Sequence, residues 1–388
     1  MENLFQTVEH LSPLLSGRIE QEELDGRLSG DTIETLKKSG LYKLFLPSSL
    51  GGLEADPVTT AKLIEQISRY NAAAAWSVMV AGASAWWCKY LPAEAVEEIF
   101  TQSSENFFAG TFATPTKATQ VDGGYIVNGQ VPLCSNVHEA NWIAVSAIVI
   151  QDGKPAMLNG VPEFRIVVLK ATDCKIVNTW QALGMKSTDS NDVMVSDAFV
   201  PDYHTGIISP GAAYNRHYHE ALYCFPVAGI NGCSLIAPVA LGIAANIIEE
   251  LKLLTEKIPS GSAVSLKEKQ SFQKKFAMAE ALVRSARNYL YQSLQDCWKK
   301  VQNGEPASLQ DKAALLLAAA HTNKSCVEAA DLVFSSAGTT GVYKRNKISR
   351  YFTDIQVVRQ HGFINENRFE TAAQLMLGVS PDFFPAIL

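Results

Sequence analysis

Between residues 106 and 225 the chain runs as short β-rich segments, and on either side it runs as long helical patterns. Few folds accept that order. The β-rich runs are Phe107 to Thr114, Tyr125 to Asn128, Trp142 to Ile150, Phe164 to Leu169, Lys175 to Asn178 and Asp192 to Val200, separated by Gly or Asn-Gly turns. Short strands at this spacing predict a β-barrel or sandwich rather than a parallel α/β sheet. No Gly-x-Gly-x-x-Gly follows any of them, so a Rossmann-type dinucleotide site is not expected.

The first flank, residues 1–105, carries helical signals. Ile33, Leu36, Leu41 and Leu44 recur at roughly helical spacing, and Asp31 followed by Glu34 resembles a capping box. A turn at Leu46-Pro47-Ser48-Ser49-Leu50-Gly51-Gly52 precedes a second pattern from Thr59 to Tyr70. The uncharged run from Asn71 to Cys88 is too short to cross a bilayer and reads as a buried helix with small residues for close packing. The second flank, 226–388, has helical patterns at 228–256, 266–302, 307–336 and 366–378, which predicts a four-helix bundle. Three domains follow: 1–105, 106–225 and 226–388.

A net charge of -6, with Lys and Arg scattered, leaves no basic stripe for nucleic acid. Seven widely spaced cysteines without any Cys-x-x-Cys suit reduced thiols in a cytoplasm, and no disulfide is expected. Met1 to Gln6 lacks the basic and apolar regions of an export signal, so the expectation is a cytoplasmic protein away from membranes.

Four segments carry a resemblance. They are Ala109-Gly110-Thr111-Phe112-Ala113-Thr114, the hairpin Gly123-Gly124-Tyr125-Ile126-Val127-Asn128-Gly129, the block Thr179 to Met185 with Thr188-Asp189-Ser190, and Phe199-Val200-Pro201. In this order they resemble the acyl-CoA dehydrogenase superfamily over nearly the whole chain. The resemblance implies an α+β, acyl-CoA dehydrogenase-like fold with an N-terminal helical domain, a central β-barrel or sandwich and a C-terminal four-helix bundle, in which the strand at Ala109 to Thr114 passes the flavin.

Within that superfamily the chain departs from dehydrogenases. Removal of the α-proton of an acyl thioester needs a carboxylate. The dehydrogenases' usual Glu lies eight residues after an Asp that corresponds to Asp354, and Gly362 stands there. Their alternative position falls near Gly232, where Asn231, Cys233 and Ser234 are not acids either. The hairpin Val131 to Trp142 instead resembles two-component flavin-dependent monooxygenases, with Leu133 for the usual aromatic and Asn136 for the usual Gly. The implied function is an oxygenase component that takes reduced flavin from a flavin reductase. With O2 it forms a C4a-(hydro)peroxyflavin and oxygenates a small aromatic, heterocyclic or amine substrate.

Ser135, a donor at flavin N5, and His361, an acid/base group, are the catalytic pair this implies. Phe112, Ala113, Asn136, Trp180, Thr188 and Ser190 join Ser135 around the flavin, with Trp76, His138 and Trp142 lining the substrate pocket. An Arg-x-x-Phe-Gly element is missing from 254–276, which favours FMN, with FAD as the alternative. Lys274, Lys275, Arg284 or the Lys344-Arg345 pair would meet its phosphate. The family implies a homotetramer. Other readings remain open: an acyl-CoA dehydrogenase-like FAD oxidoreductase with a displaced base, or a silent flavin-fold binding partner. Bland ones stand beside them, with His361 a structural ring, Ser135 a turn hydroxyl, and Trp86-Trp87 core. His217 and His219 with Cys224 and Cys233 are a remote metal set.

Overall fold

The structure, a computed structural model, describes residues 2–101, 106–209, 212 and 214–388. The first flank folds as α1 (Glu2–Gly17), α2 (Ile19–Asp25), α3 (Gly30–Lys38), α4 (Pro57–Tyr70), α5 (Ala72–Trp87) and α6 (Ala93–Thr101). The cap of α3 differs from expectation. Ser29 is the N-cap and accepts from Thr32 N–H, while Asp31 lies inside the first turn and pairs with Arg18 at 2.7 Å. Ser29 serves because buried Glu22 takes its N–H and hydroxyl and reaches Asn71 Nδ2 at 3.1 Å. Asn71 in turn caps α5 through the N–H groups of Ala73 and Ala74. The helix that carries Trp76 is therefore anchored at its start by a satisfied polar cluster.

The middle of the chain is β1 (Phe108–Val121), β2 (Gly124–Cys134), β3 (Trp142–Gln151), β4 (Lys154–Pro155), β5 (Met157–Leu158), β6 (Val161–Pro162), β7 (Phe164–Lys170), β8 (Cys174–Val177), β9 (Asn191–Pro201) and β10 (Thr205–Ile207). β1 and β2 are longer than the residue pattern predicts, because each continues through register shifts against its outer neighbour, β1 against β3 between Thr111 and Thr116 and β2 against β9 between Val127 and Gly129 and between Val131 and Cys134. The main sheet is ordered β10-β7-β3-β1-β2-β9-β8, antiparallel except for the parallel β1–β3 pair. It wraps its own core of Val127, Val131, Ile143, Val145, Val167, Val193 and Val195. At Gly110 β1 passes so close to β3 that a Cβ would lie 1.9 Å from Ala144 O.

The second flank holds α7 (Ala221–Cys224), a π-helix (Ala228–Ile236), α8 (Ala237–Lys252), α9 (Gln270–Gln302), α10 (Leu309–Ala337), α11 (Lys347–Val358) and α12 (Asn367–Met376). Helix α11 and the π-helix are additions to the expected bundle. The run Ala228–Lys252 is long and apolar enough to span a membrane, yet 94% of its most apolar window is buried inside the protein. One apolar core joins both helical flanks, through Leu63, Trp86, Leu235, Leu241, Leu290 and Val333.

Candidate active site

Two turns of the sheet and two helical segments converge on Ser135. The first turn leaves β2 at Cys134, passes through Asn136 with φ of 59°, and enters a short 3₁₀ turn at Val137–Glu139. The second is the loop between β8 and β9. Backbone bonds lace them together, with Asn136 N–H on Thr188 O at 2.9 Å. Leu133, Asn136, Met185 and Asp189 all carry positive φ, a concentration of non-glycine strain that marks functional turns.

Hydroxyl and amide groups fill the contact. Trp76 Nε1–H donates to Ser135 Oγ at 3.0 Å, and Ser135 Oγ lies 2.7 Å from Ser190 Oγ. Ser190 Oγ lies 2.7 Å from Thr188 Oγ1, whose hydroxyl donates to Met185 O at 2.8 Å. Asp189 binds His138 Nδ1 at 2.7 Å, His138 N–H at 2.9 Å and Asn191 Nδ2 at 2.7 Å. Asn191 Oδ1 accepts the N–H groups of Thr179 and Trp180, each at 2.9 Å. Met185 O also takes Trp180 Nε1–H at 3.2 Å.

One group ties this loop to the helices. Met185 N–H donates to Asp354 Oδ1 of α11 at 2.6 Å. Gly184 lies against the same helix, where a Cβ would be 2.4 Å from the Thr353 carbonyl. Burial pushes the Asp354 carboxyl up from 3.8 to about 7, against the opposing bond from Met185.

The opposite wall is built of rings. His361 follows α11 in a turn rather than a helix, and its imidazole meets Trp76 edge-on with centroids 5.6 Å apart. Phe363 stacks beside it at 6.0 Å. Phe363 N–H donates to His361 Nδ1 at 3.3 Å, so a neutral ring carries its proton on Nε2. The imidazole is partly open to solvent, yet its surroundings desolvate it and push its pKa down from 6.5 to about 4. Trp87 faces Phe112 of β1 at 4.8 Å, and its Nε1–H reaches Asn231 Oδ1 on the π-helix at 3.4 Å. A Cβ on Gly232 would lie 3.3 Å from Phe363 O, which places the π-helix between these ring groups. On Gly362 a Cβ would meet nothing within 4 Å.

The structure thus brings Trp76, Ser135, Asn136, His138, Thr188, Ser190 and His361 to one place, with Trp180 behind the loop and Phe112 on the ring wall. Ala113 lies in β1, and its side chain is outside the described residues. Trp142 stands apart. As the first residue of β3 it turns toward the helical core and packs on His204 at 5.4 Å, so it does not line the pocket with His138. The His217–His219 segment is a turn in which His217 binds Ser49 and Glu97, and among the described residues no cluster suits a metal. Of the proposed phosphate partners, Arg284 is held by Glu280 and Lys275 donates to Ser335. Arg345 instead lines an open polar basin of about 390 Å³ with Lys257, Thr339, Thr340 and Asn346.

Sequence reasoning missed Met185, Asp189, Asn191 and Asn231 as site residues, and used Asp354 only as a marker for counting. Asp and Asn close to hydroxyl residues are the one signal that could have flagged the loop.

These elements define the acyl-CoA dehydrogenase fold, and a family profile described as acyl-CoA dehydrogenase, C-terminal domain matches residues 234–366. The chain is similar to flavin-dependent monooxygenases. It is 29% identical to indole-3-acetate monooxygenase of Pseudomonas putida, over 94% of this chain and 91% of that one. It is 23% identical to the flavin-dependent monooxygenase oxygenase subunit HsaA of Rhodococcus jostii, over 92% and 93%. Among solved structures, XiaF from a Streptomyces species in complex with FADH2 superposes with a TM-score of 0.89 at 19% identity, covering 98% of this chain and 96% of that one. TdsC from a Paenibacillus species with FMN and indole gives 0.78 at 16%, covering 99% and 100%.

Proposed function

We propose that this protein is the oxygenase component of a two-component flavin-dependent monooxygenase. On this reading it accepts reduced flavin from a separate reductase, with FMN the form favoured by its sequence, and inserts one oxygen atom of O2 into a small aromatic or heterocyclic compound. One observation carries the proposal: a hydroxyl cluster and a neutral imidazole both meet Trp76, while the two positions at which an acyl-CoA dehydrogenase carries its carboxylate hold no acid. Neither Gly362 nor the 231–234 segment offers one.

The residues present fit a flavin. Asn136 Nδ2 is buried beside Ser135 without an acceptor, a donor that a ring carbonyl or nitrogen would satisfy. Ser135, Asn136, Thr188 and Ser190 would hold the polar edge of the ring system, with Trp76 and Phe112 against its faces. When bound, reduced flavin supplies the electrons that activate O2.

The protein's share is positioning and protection. Trp76, Trp87, Phe112 and Phe363 exclude water from the reacting centre. His361 keeps its proton on Nε2 and stays uncharged at neutral pH, so it hydrogen-bonds as a neutral donor rather than as a cation. Relatives that act on indole-3-acetate support an aromatic substrate here. Seven free thiols support a reducing, cytoplasmic setting, and exposed Leu253, Ile258, Val342 and Tyr343 support assembly into the homotetramer expected of the family. Sedimentation reads that last point directly.

The test mixes the protein with anaerobically reduced FMN, then with O2, and follows the return of oxidised flavin. A marked delay relative to free flavin, shortened in Ser135→Ala, is expected. Reoxidation at the free-solution rate would refute the oxygenase reading.

A further inference from the structure

The hydroxyls around Ser135 form a line in which each proton has one destination. Met185 O cannot donate, so the Thr188 hydroxyl proton lies on that carbonyl. Thr188 has no second proton, so across the 2.7 Å contact Ser190 must be the donor. Ser190 is then spent as well, and across the next 2.7 Å contact Ser135 donates to it. At the far end the Trp76 indole N–H, which can only donate, points at Ser135 Oγ. Every proton runs one way, from Trp76 through Ser135, Ser190 and Thr188 to Met185 O. Met185 is itself fixed, since its N–H is held by buried Asp354 and its φ is 51°.

We infer that Thr188 and Ser190 are positioning residues that hold the Ser135 proton away from the flavin, leaving Ser135 Oγ as a hydrogen-bond acceptor. This rests on the flavin reading above and reverses the donor role that the sequence suggests for Ser135. Reduced flavin carries N–H at N5, whereas oxidised flavin presents a lone pair there. An acceptor accommodates the first and repels the second. The relay therefore makes the site selective for the redox state of its flavin: it retains what a reductase delivers and releases the spent form. Discrimination by one buried hydrogen bond, made in one state and opposed in the other, is about tenfold or more.

The experiment measures dissociation constants for oxidised FMN by fluorescence quenching and for FMN reduced anaerobically, in the wild type and three variants. Ser190→Ala frees the Ser135 proton, and Thr188→Val lets Ser190 donate to Ser135 instead. Both should collapse the oxidised-to-reduced ratio by about tenfold, mainly by tightening oxidised FMN. Ser190→Thr keeps the hydroxyl and should keep the ratio. An unchanged ratio in both Ser190→Ala and Thr188→Val, or an equal loss for both redox states, overturns the relay while leaving the oxygenase reading intact. Wild-type protein that binds neither form of FMN refutes both.

Discussion

The two walls of the site are made differently. On the sheet side, Ser135, Thr188, Asp189, Ser190 and Asn191 are held by hydrogen bonds that commit nearly every polar atom. On the helical side, Trp76, Trp87, His361 and Phe363 meet through ring contacts, and the turn at Gly362 opens on free space. Hydrogen bonds fix position and lose heavily when one partner goes, because a buried group is left unsatisfied. Ring packing tolerates change of shape more gradually. The sheet wall is thus suited to a constant ligand, and the helical wall to a substrate that differs among relatives.

The largest test of that contrast is Gly184→Ala, whose Cβ would strike the Thr353 carbonyl backbone. A loss of about 3 kcal/mol is expected in urea unfolding; a change near zero would show that the loop is not locked to α11. Next, Asn191→Ala strands the N–H groups of Thr179 and Trp180. It should destabilise by about 2 kcal/mol and weaken flavin binding. His361→Asn, on the ring side, should depress product formation while leaving flavin affinity within about twofold. Equal behaviour of the two variants would erase the distinction between the walls.

Titration separates the anchor of the sheet-side loop on α11 from the ring wall. Asp354 has a folded pKa of about 7, above its ordinary 3.8, so its contribution to stability is full below 3.8 and is lost as pH rises through 7. His361 is depressed to about 4 from 6.5, so its contribution is full above 6.5 and is lost as pH falls through 4. Between pH 4 and 6.5 the two oppose each other. Unfolding free energies of Asp354→Asn, from urea titration, should therefore rise with pH in that window, and those of His361→Asn should fall, each by on the order of 2 kcal/mol. Parallel slopes in the two variants would contradict the assignment.

A smaller effect concerns Asn231, the polar group among the rings. Its bond from Trp87 is long, and its Oδ1 can accept from a substrate N–H or O–H. Asn231→Leu should weaken indole by about fivefold and N-methylindole hardly at all, read by equilibrium binding. The smallest is Gly362→Ala, where a Cβ meets nothing, and a shift within about 0.5 kcal/mol is expected.

The alternation of texture at residues 106 and 226 made the layers legible, because strand and helix periods differ and Asn-Gly turns punctuate the former. The positions of Ser135, Thr188, Ser190 and His361 came from resemblance rather than from period. What stayed hidden depends on contacts far apart in sequence. Asp31 looked like the cap until Glu22 is seen to hold Ser29. Asp354 reads as an ordinary helical acid until it meets Met185, 169 residues away. The π-helix leaves no mark on an apolar run, since a wider turn keeps the same residues buried.

That wider turn has a consequence for how the protein can change over generations. A π-turn holds one residue more than an α-turn of the same span, so loss of a single codon between Ala228 and Ile236 would leave an intact helix. The flanking helix would keep its place, and only the residues of the turn would shift in register. Asn231 and Gly232 would swing away from Trp87 and Phe363, and the pocket would acquire new walls without a new fold.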